Sequence, residues 1–131
     1  MIPEYTTQYR VCYADTDQMG VVYYANYFIL FERARTELLR NNGLSYREIE
    51  EQGFMLPVLD AHAKYHRPAR YDDLLDITAR IVDFNGLKLT TACEVKRDGE
   101  LLVDGDVTLV FLNAKTGRPS RPPENIRRIF E

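Results

Sequence analysis

The chain has 131 residues, 45% of them hydrophobic and 28% charged, with a formal net charge of −3. That length lets one domain bury a core without disulfide or metal support, and the composition excludes a disordered or fibrous chain. The acidic balance argues against a general nucleic-acid or anionic-membrane binder. No apolar run approaches the ~20 residues of a membrane span, and the opening MIPEYTTQYR lacks the apolar core of a secretory signal. A single cytoplasmic domain over residues 1–131 is expected, with no membrane insertion and no nucleic-acid partner. Cys12 and Cys93 lie in no Cys/His cluster and are expected to be buried free thiols.

In chain order, EYTTQYRVCY alternates and is rich in Tyr, Thr and Val, which predicts a first strand. A polar loop, ADTDQMG, leads to a predicted helix from about Tyr23 to Asn42. Phe28, Phe31, Ala34 and Leu38 recur there at helical spacing, with Tyr24, Tyr27 and Leu30 widening the apolar face. Its first half is apolar nearly all round, the pattern of an enclosed helix. Asn41-Asn42-Gly43 reads as its stop, and Ser45 with Glu48 as the capping box of a short second helix.

From Phe54 the period becomes two. A strand is predicted from Phe54 to near Pro68, followed by three more. One places Leu75, Ile77, Ala79 and Ile81 on a single face. The next does so with Leu87, Leu89, Thr91, Cys93 and Val95, and the last with Leu101, Val103, Val107, Leu109 and Phe111. Asn85-Gly86 and Asp98-Gly99 are hairpin turns joining these three into an antiparallel meander. The tail RPPENIRRIFE is predicted to form a short helix after its prolines. The order is that of an α+β domain in which an antiparallel sheet wraps a long central helix.

Chemistry concentrates in YADTDQMGVVYYANYFILFERAR, Tyr13 to Arg35. Asp15 and Asp17 stand just before the helix. A calcium loop would need further acids where Met19 and Phe28 stand. A second reading makes both acids solvated loop residues or helix caps. In a third, a carboxylate lies beside the unpaired N–H groups of a helix N-terminus. Such donors hold a carbonyl oxygen that gains charge during acyl transfer, and the carboxylate attacks or activates water. Gly20 would allow close approach of backbone to substrate, and Tyr13, Tyr23, Tyr24 and Tyr27 would line an acyl slot. No GxSxG elbow occurs. His62 and His66 lie in a strand pattern, ~13 Å apart, too far to share an ion.

The same stretch resembles the 4-hydroxybenzoyl-CoA thioesterase family of hotdog-fold enzymes, in particular the branch of short acyl-CoA thioesterases associated with the Tol–Pal cluster. The shared pattern is D-x-D-x-x-G-x-V-x-Y-x-x-N-Y followed by FERAR. The resemblance implies a hotdog fold and hydrolysis of an acyl-CoA thioester to a carboxylic acid and CoA. Asp17 aligns with the essential carboxylate, acting as nucleophile or as base toward water. The Tyr24 backbone N–H aligns with the donor that polarises the thioester carbonyl. Asp15, Asn26 and Glu32 match the pattern and read as structural or interface residues. Relatives of the branch carry Tyr-His-Ala-Asn where this chain has Tyr23-Tyr24-Ala25-Asn26. A phenol, titrating near ~10, is a poorer base at neutral pH than an imidazole.

The resemblance also implies a homodimer or homotetramer with active sites at the subunit interface, CoA phosphates met by basic residues such as Arg67 and Lys88, and no metal or organic cofactor. A carrier-protein thioesterase and a non-catalytic acyl-binding hotdog are the alternatives. The Asp17 carboxylate favours catalysis over mere binding. A hotdog dehydratase would need a histidine near the helix, and none is there.

Overall fold

Residues 3–131 are described by the structure, a computed structural model. The elements in order are β1 (Glu4–Arg10), α1 (Asn26–Asn41), α2 (Tyr46–Glu51), β2 (Phe54–Met55), β3 (Val58–Tyr65), β4 (Leu74–Phe84), β5 (Lys88–Arg97), β6 (Glu100–Val110), β7 (Leu112–Asn113) and α3 (Glu124–Phe130). The main sheet is antiparallel with strand order β1-β4-β5-β6-β3, and β2 pairs with β7. This is the hotdog arrangement: α1 lies on the sheet, chiefly over β1 and β4. Phe31, Ala34 and Leu38 are fully buried against the inward residues Leu75, Ile77, Leu89 and Val95.

The turns explain the meander. Asp98 and Gly99 both have positive φ, 51° and 82°, the conformation of the two-residue turn whose twist matches antiparallel strands. At the other hairpin the Asn85 side-chain oxygen accepts the N–H groups of Leu87 and Lys88 at 2.9 and 2.7 Å. Ser45 caps α2 by accepting the Glu48 N–H at 3.2 Å, and the tail forms α3 with Ile126 and Phe130 buried.

Several expectations are corrected. Helix α1 begins at Asn26 rather than Tyr23 because Val21 and Val22 are drawn into bridges with Arg70 and Thr16. It is not enclosed all round: Ile29 is 57% exposed, on a flank of α1 that the sheet does not cover. The predicted strand from Phe54 breaks around Leu56-Pro57 into β2 and β3, and β3 stops at Tyr65. A register shift against β5 places both Leu102 and Val103 in the core, so Leu102, not Leu101, is fully buried. Cys12 is exposed, because the chain leaves the sheet at Arg10, and only Cys93 is buried.

Close strand pairing and a pinned bend fix the end of β3. Gly105 in β6 faces Ala63 in β3, and a Cβ at Gly105 would come within 2.0 Å of the His62 carbonyl oxygen; the two backbones can approach this closely only with glycine there. Beyond β3, the N–H groups of His66 and Arg67 both bond to the Leu102 carbonyl, at 2.8 and 3.1 Å. The next few residues are tied down by Arg97, whose guanidinium donates to Asp73 at 2.7 Å and to the Pro68 carbonyl at 3.3 Å.

Burial alone would raise the Asp73 carboxyl. The Arg70 N–H and the Arg97 guanidinium outweigh it and hold the group below its ordinary value. A depressed carboxyl stabilises the fold above the unfolded-state pKa and ceases to do so as pH falls through the folded-state value. Asp73→Asn is therefore expected to lower the thermal midpoint at neutral pH and to flatten its decline below about pH 4. Thermal unfolding of both proteins across the acid range measures this.

Candidate active site

The loop between β1 and α1 is a tight hairpin. The Asp17 N–H bonds to the Val21 carbonyl and the Gly20 N–H to the Asp17 carbonyl, both at 2.9 Å. Gly20 has φ +79°, and nothing lies within 4 Å of a Cβ built there. The glycine therefore serves the left-handed turn position and not a close approach within the subunit. Asp17 opens the turn. Its Oδ1 accepts the Met19 N–H at 2.9 Å, an Asx turn that fixes the carboxylate by local geometry. Among the described residues its other oxygen has no hydrogen-bond partner.

Asp15 is used differently. Its Oδ2 accepts the Tyr9 hydroxyl and the Cys12 N–H, each at 2.7 Å. Its backbone carbonyl accepts the Tyr23 N–H and the Asn26 side-chain amide, each at 2.9 Å. Asp15 thus ties the end of β1 to the start of α1. Its hydrogen bond raises the Tyr9 phenol, an effect that burial reinforces, and the Arg33 guanidinium covers the other face of that ring at 4.8 Å. Neither carboxylate caps α1, whose N-cap Ala25 has no side-chain bond. A cavity of about 60 Å³ behind Asp15 and Asn26 has room for a few waters only.

On the other side of the loop a cleft of about 280 Å³ opens beside Asp17. Val22, Tyr24, Tyr27, Tyr65, His66 and Arg67 line it with Asp17. Tyr27 is 2% exposed and anchors the cleft in the core; burial raises its phenol above the ordinary value. Tyr24 is 59% exposed. Among the described residues its backbone N–H has no acceptor, while the neighbouring Asn26 N–H is satisfied by the Tyr23 carbonyl at 2.8 Å. An unsatisfied donor at a helix start, on an apolar cleft that holds a carboxylate, is an arrangement for binding a carbonyl oxygen and attacking its carbon.

The structure thus brings Asp17, Tyr24, Tyr27 and Arg67 to one cleft. Tyr23 flanks it, its ring 4.7 Å from that of Tyr24. Tyr13 lies elsewhere: it is 75% exposed and stacks on Tyr71 at 4.0 Å between centroids. Lys88 starts β5 whereas Arg97, which reaches Pro68 at the cleft, ends it; at ~3.4 Å per residue that strand is about 30 Å long, so Lys88 is remote from the cleft of its own subunit. Arg67 is held by Glu100 at 3.1 Å. His66 is held by Asp104 at 2.9 Å and His62 by Asp60 at 3.0 Å. Tyr65 is a lining residue that the sequence pattern did not single out; His66, considered there only as one of a histidine pair too far apart to share an ion, lines the cleft as well. The alternation in β3 gives their faces, but nothing local says that the end of β3 meets the start of α1.

A hotdog fold with an apolar cleft beside a carboxylate fits a thioesterase-type protein. The sequence matches the thioesterase-like superfamily over residues 11–130. It is 36% identical over 123 residues to the acyl-CoA thioester hydrolase YbgC of Escherichia coli O6:H1, covering 93% of this chain and 92% of that one. It is 31% identical over 122 residues to the acyl-CoA thioesterase YbgC of Haemophilus influenzae, covering 92% and 90%. Among solved structures, a DHNA-CoA thioesterase from Staphylococcus aureus superposes with a TM-score of 0.93 at 27% identity, covering 97% of this chain and 88% of that one. The chain belongs to the thioesterase-like superfamily and is a thioester hydrolase.

Asp15→Asn is expected to cost about 2 kcal/mol of folding stability, since a charged acceptor of two hydrogen bonds is lost, while turnover per folded molecule is largely kept. Denaturant unfolding measured beside active-site-normalised rates checks both halves.

Proposed function

We propose that this protein hydrolyses acyl-CoA thioesters to the free carboxylic acid and CoA, with Asp17 and the Tyr24 backbone N–H as its catalytic groups. One observation carries the reading: Asp17 and Tyr24 line the same apolar cleft, and among the described residues one Asp17 carboxylate oxygen and the Tyr24 backbone N–H have no hydrogen-bond partner. The acyl group enters the cleft with its carbonyl oxygen on the Tyr24 N–H. That bond strengthens as the oxygen becomes negative, so it favours the transition state over the bound substrate. Asp17 then adds to the carbonyl carbon as nucleophile, giving an anhydride that water cleaves, or takes a proton from water as it adds. Either way the C–S bond breaks, CoA leaves as its thiolate and is protonated, and one water is consumed.

The Tyr24 side chain is not assigned a proton-transfer role, because phenols titrate near ~10. Its ring belongs to the apolar wall, and the N–H role is independent of it. The names of the relatives in E. coli and H. influenzae support CoA as the thiol. Arg67, at the mouth of the cleft, is the candidate contact for the CoA phosphates. The enzyme is assigned to the cytoplasm.

We further infer a homo-oligomer. β3 is an edge strand on which Val58 and Leu59 are 51% and 54% exposed, an open apolar edge of the kind that proteins cover. Ile29 and Val58 border one recess between α1 and this edge. A second copy pairing along β3 covers both and walls the cleft that Tyr65 borders.

Asp17→Asn is expected to lower kcat for every acyl-CoA hydrolysed by at least about 100-fold with the thermal midpoint little changed; near-normal turnover would remove Asp17 from the mechanism. Val58→Lys combined with Leu59→Glu is expected to convert the oligomer to monomer and to lose activity with it. Sedimentation equilibrium, read in multiples of 15.3 kDa, measures the first effect and a hydrolysis assay the second.

A further inference from the structure

We propose that Tyr65 is a positioning residue for catalysis: its hydroxyl holds the backbone at Tyr24 in the orientation that aims the N–H into the cleft. This rests on the role proposed for that N–H. Tyr24 lies just ahead of α1, whose N-cap is Ala25. The Phe28 N–H, one of the donors a helix start leaves without an i−4 partner, reaches the Ala25 carbonyl at 3.3 Å. The Tyr24 carbonyl accepts the Tyr65 hydroxyl at 3.0 Å. A side chain from the far edge of the sheet thus holds the backbone that leads into the helix.

The orientation of residue 24 is set from two sides. Ahead of it, the Tyr23 carbonyl accepts the Asn26 N–H at 2.8 Å and the Tyr23 N–H is held by the Asp15 carbonyl at 2.9 Å. Behind it, the Tyr24 carbonyl has the Tyr65 hydroxyl. The Tyr24 N–H shares its peptide plane with the Tyr23 carbonyl, which Asn26 holds, and the Tyr65 hydroxyl holds the following plane, which meets it at the Tyr24 Cα. Removing the Tyr65 bond leaves the plane of the N–H held at one end only.

Tyr65 is itself well held. It ends β3 opposite Val103 in β6, and the next two N–H groups of the chain share the Leu102 carbonyl. Its ring meets that of buried Tyr27 edge-on, at 5.6 Å and 62°, and that of Tyr24 at 6.4 Å and 86°. Its phenol is raised above the ordinary value, first by burial and then by Tyr24; a phenol is a donor at neutral pH in any case. Tyr65 is 46% exposed, its ring touches the core through Tyr27, and its hydroxyl reaches out to the helix start.

Tyr65→Phe tests this, since it keeps the ring and deletes the hydroxyl. Two quantities are read in the full-length protein: steady-state hydrolysis of an acyl-CoA, and the infrared carbonyl stretch of a bound ketone analogue with CH2 in place of the thioester sulfur. The expected result is a fall in kcat of about five- to tenfold with KM within about twofold, as for an interaction felt in the transition state. The analogue's carbonyl, shifted to low frequency in the wild type by the N–H, is expected to move back toward its value in water.

Unchanged kcat and frequency would overturn the role of Tyr65 while leaving Asp17 and Tyr24 untouched. So would lower stability with normal turnover per folded molecule, or loss of folding, since the hydroxyl would then be scaffolding alone. A wild-type carbonyl that is not shifted on binding would instead refute the Tyr24 donor and, with it, this inference. Activity retained by Asp17→Asn together with the expected Tyr65→Phe shifts would refute the Asp17 reading only.

Discussion

Asp15 is the acceptor on which four hydrogen bonds of the loop between β1 and α1 converge. Its carboxylate takes the Tyr9 hydroxyl and the Cys12 N–H, while its carbonyl takes the Tyr23 N–H and the Asn26 amide. Those four donors come from the last turn of chain before the loop and from the start of α1. Bridges from Val21 and Val22 to Arg70 and Thr16 hold the far arm of the loop. With it pinned, the hairpin at Asp17–Gly20 can be short and the Asp17 carboxylate can be oriented by a bond from its own turn. The two acids that look redundant in the sequence divide the work: one supplies rigidity and the other keeps an oxygen available.

The cleft is the meeting place of three segments distant in sequence: the loop carrying Asp17, the start of α1, and the end of β3 with the bend after it. The bend is held by Arg97 on Asp73 and Pro68 and by the Val22 N–H on the Ala69 carbonyl at 2.8 Å. Hydrogen bonds and partly exposed ion pairs do much of the holding here, on top of an apolar base that includes Val22, Tyr27 and Ala69. That division suits a site that must keep polar groups exposed to a substrate while standing on a rigid base.

Much of this fold is legible from periodicity alone. The meander from Leu74 to Val110 follows from alternation and two turn dipeptides, and α1 from the spacing of Phe31, Ala34 and Leu38. The residues alone leave helix caps and solvated loop acids open for Asp15 and Asp17; the roles expected of Asp17 and the Tyr24 N–H come from the resemblance of the motif, and the structure adds that the two residues line one cleft. What sequence reasoning misses is set by long-range placement. The bulge that buries Leu102 depends on the match between β5 and β6. Cys12 is exposed because the chain turns away after Arg10. Lys88 looks suitable by charge, but its distance from the cleft of its own subunit only becomes visible once the sheet is assembled. Tyr65 is the strongest case, since the carbonyl it satisfies lies 41 residues earlier in the chain.

Gly105 lies outside the cleft and touches nothing in it. Yet any side chain there would collide with the His62 carbonyl and force β3 away from β6. Tyr65 sits two residues further along the same pairing, opposite Val103. Position 105 is therefore closed to sequence drift for a reason that no inspection of the cleft would reveal: the absence of a single carbon atom in β6 sets how far the tyrosine hydroxyl can reach toward the helix.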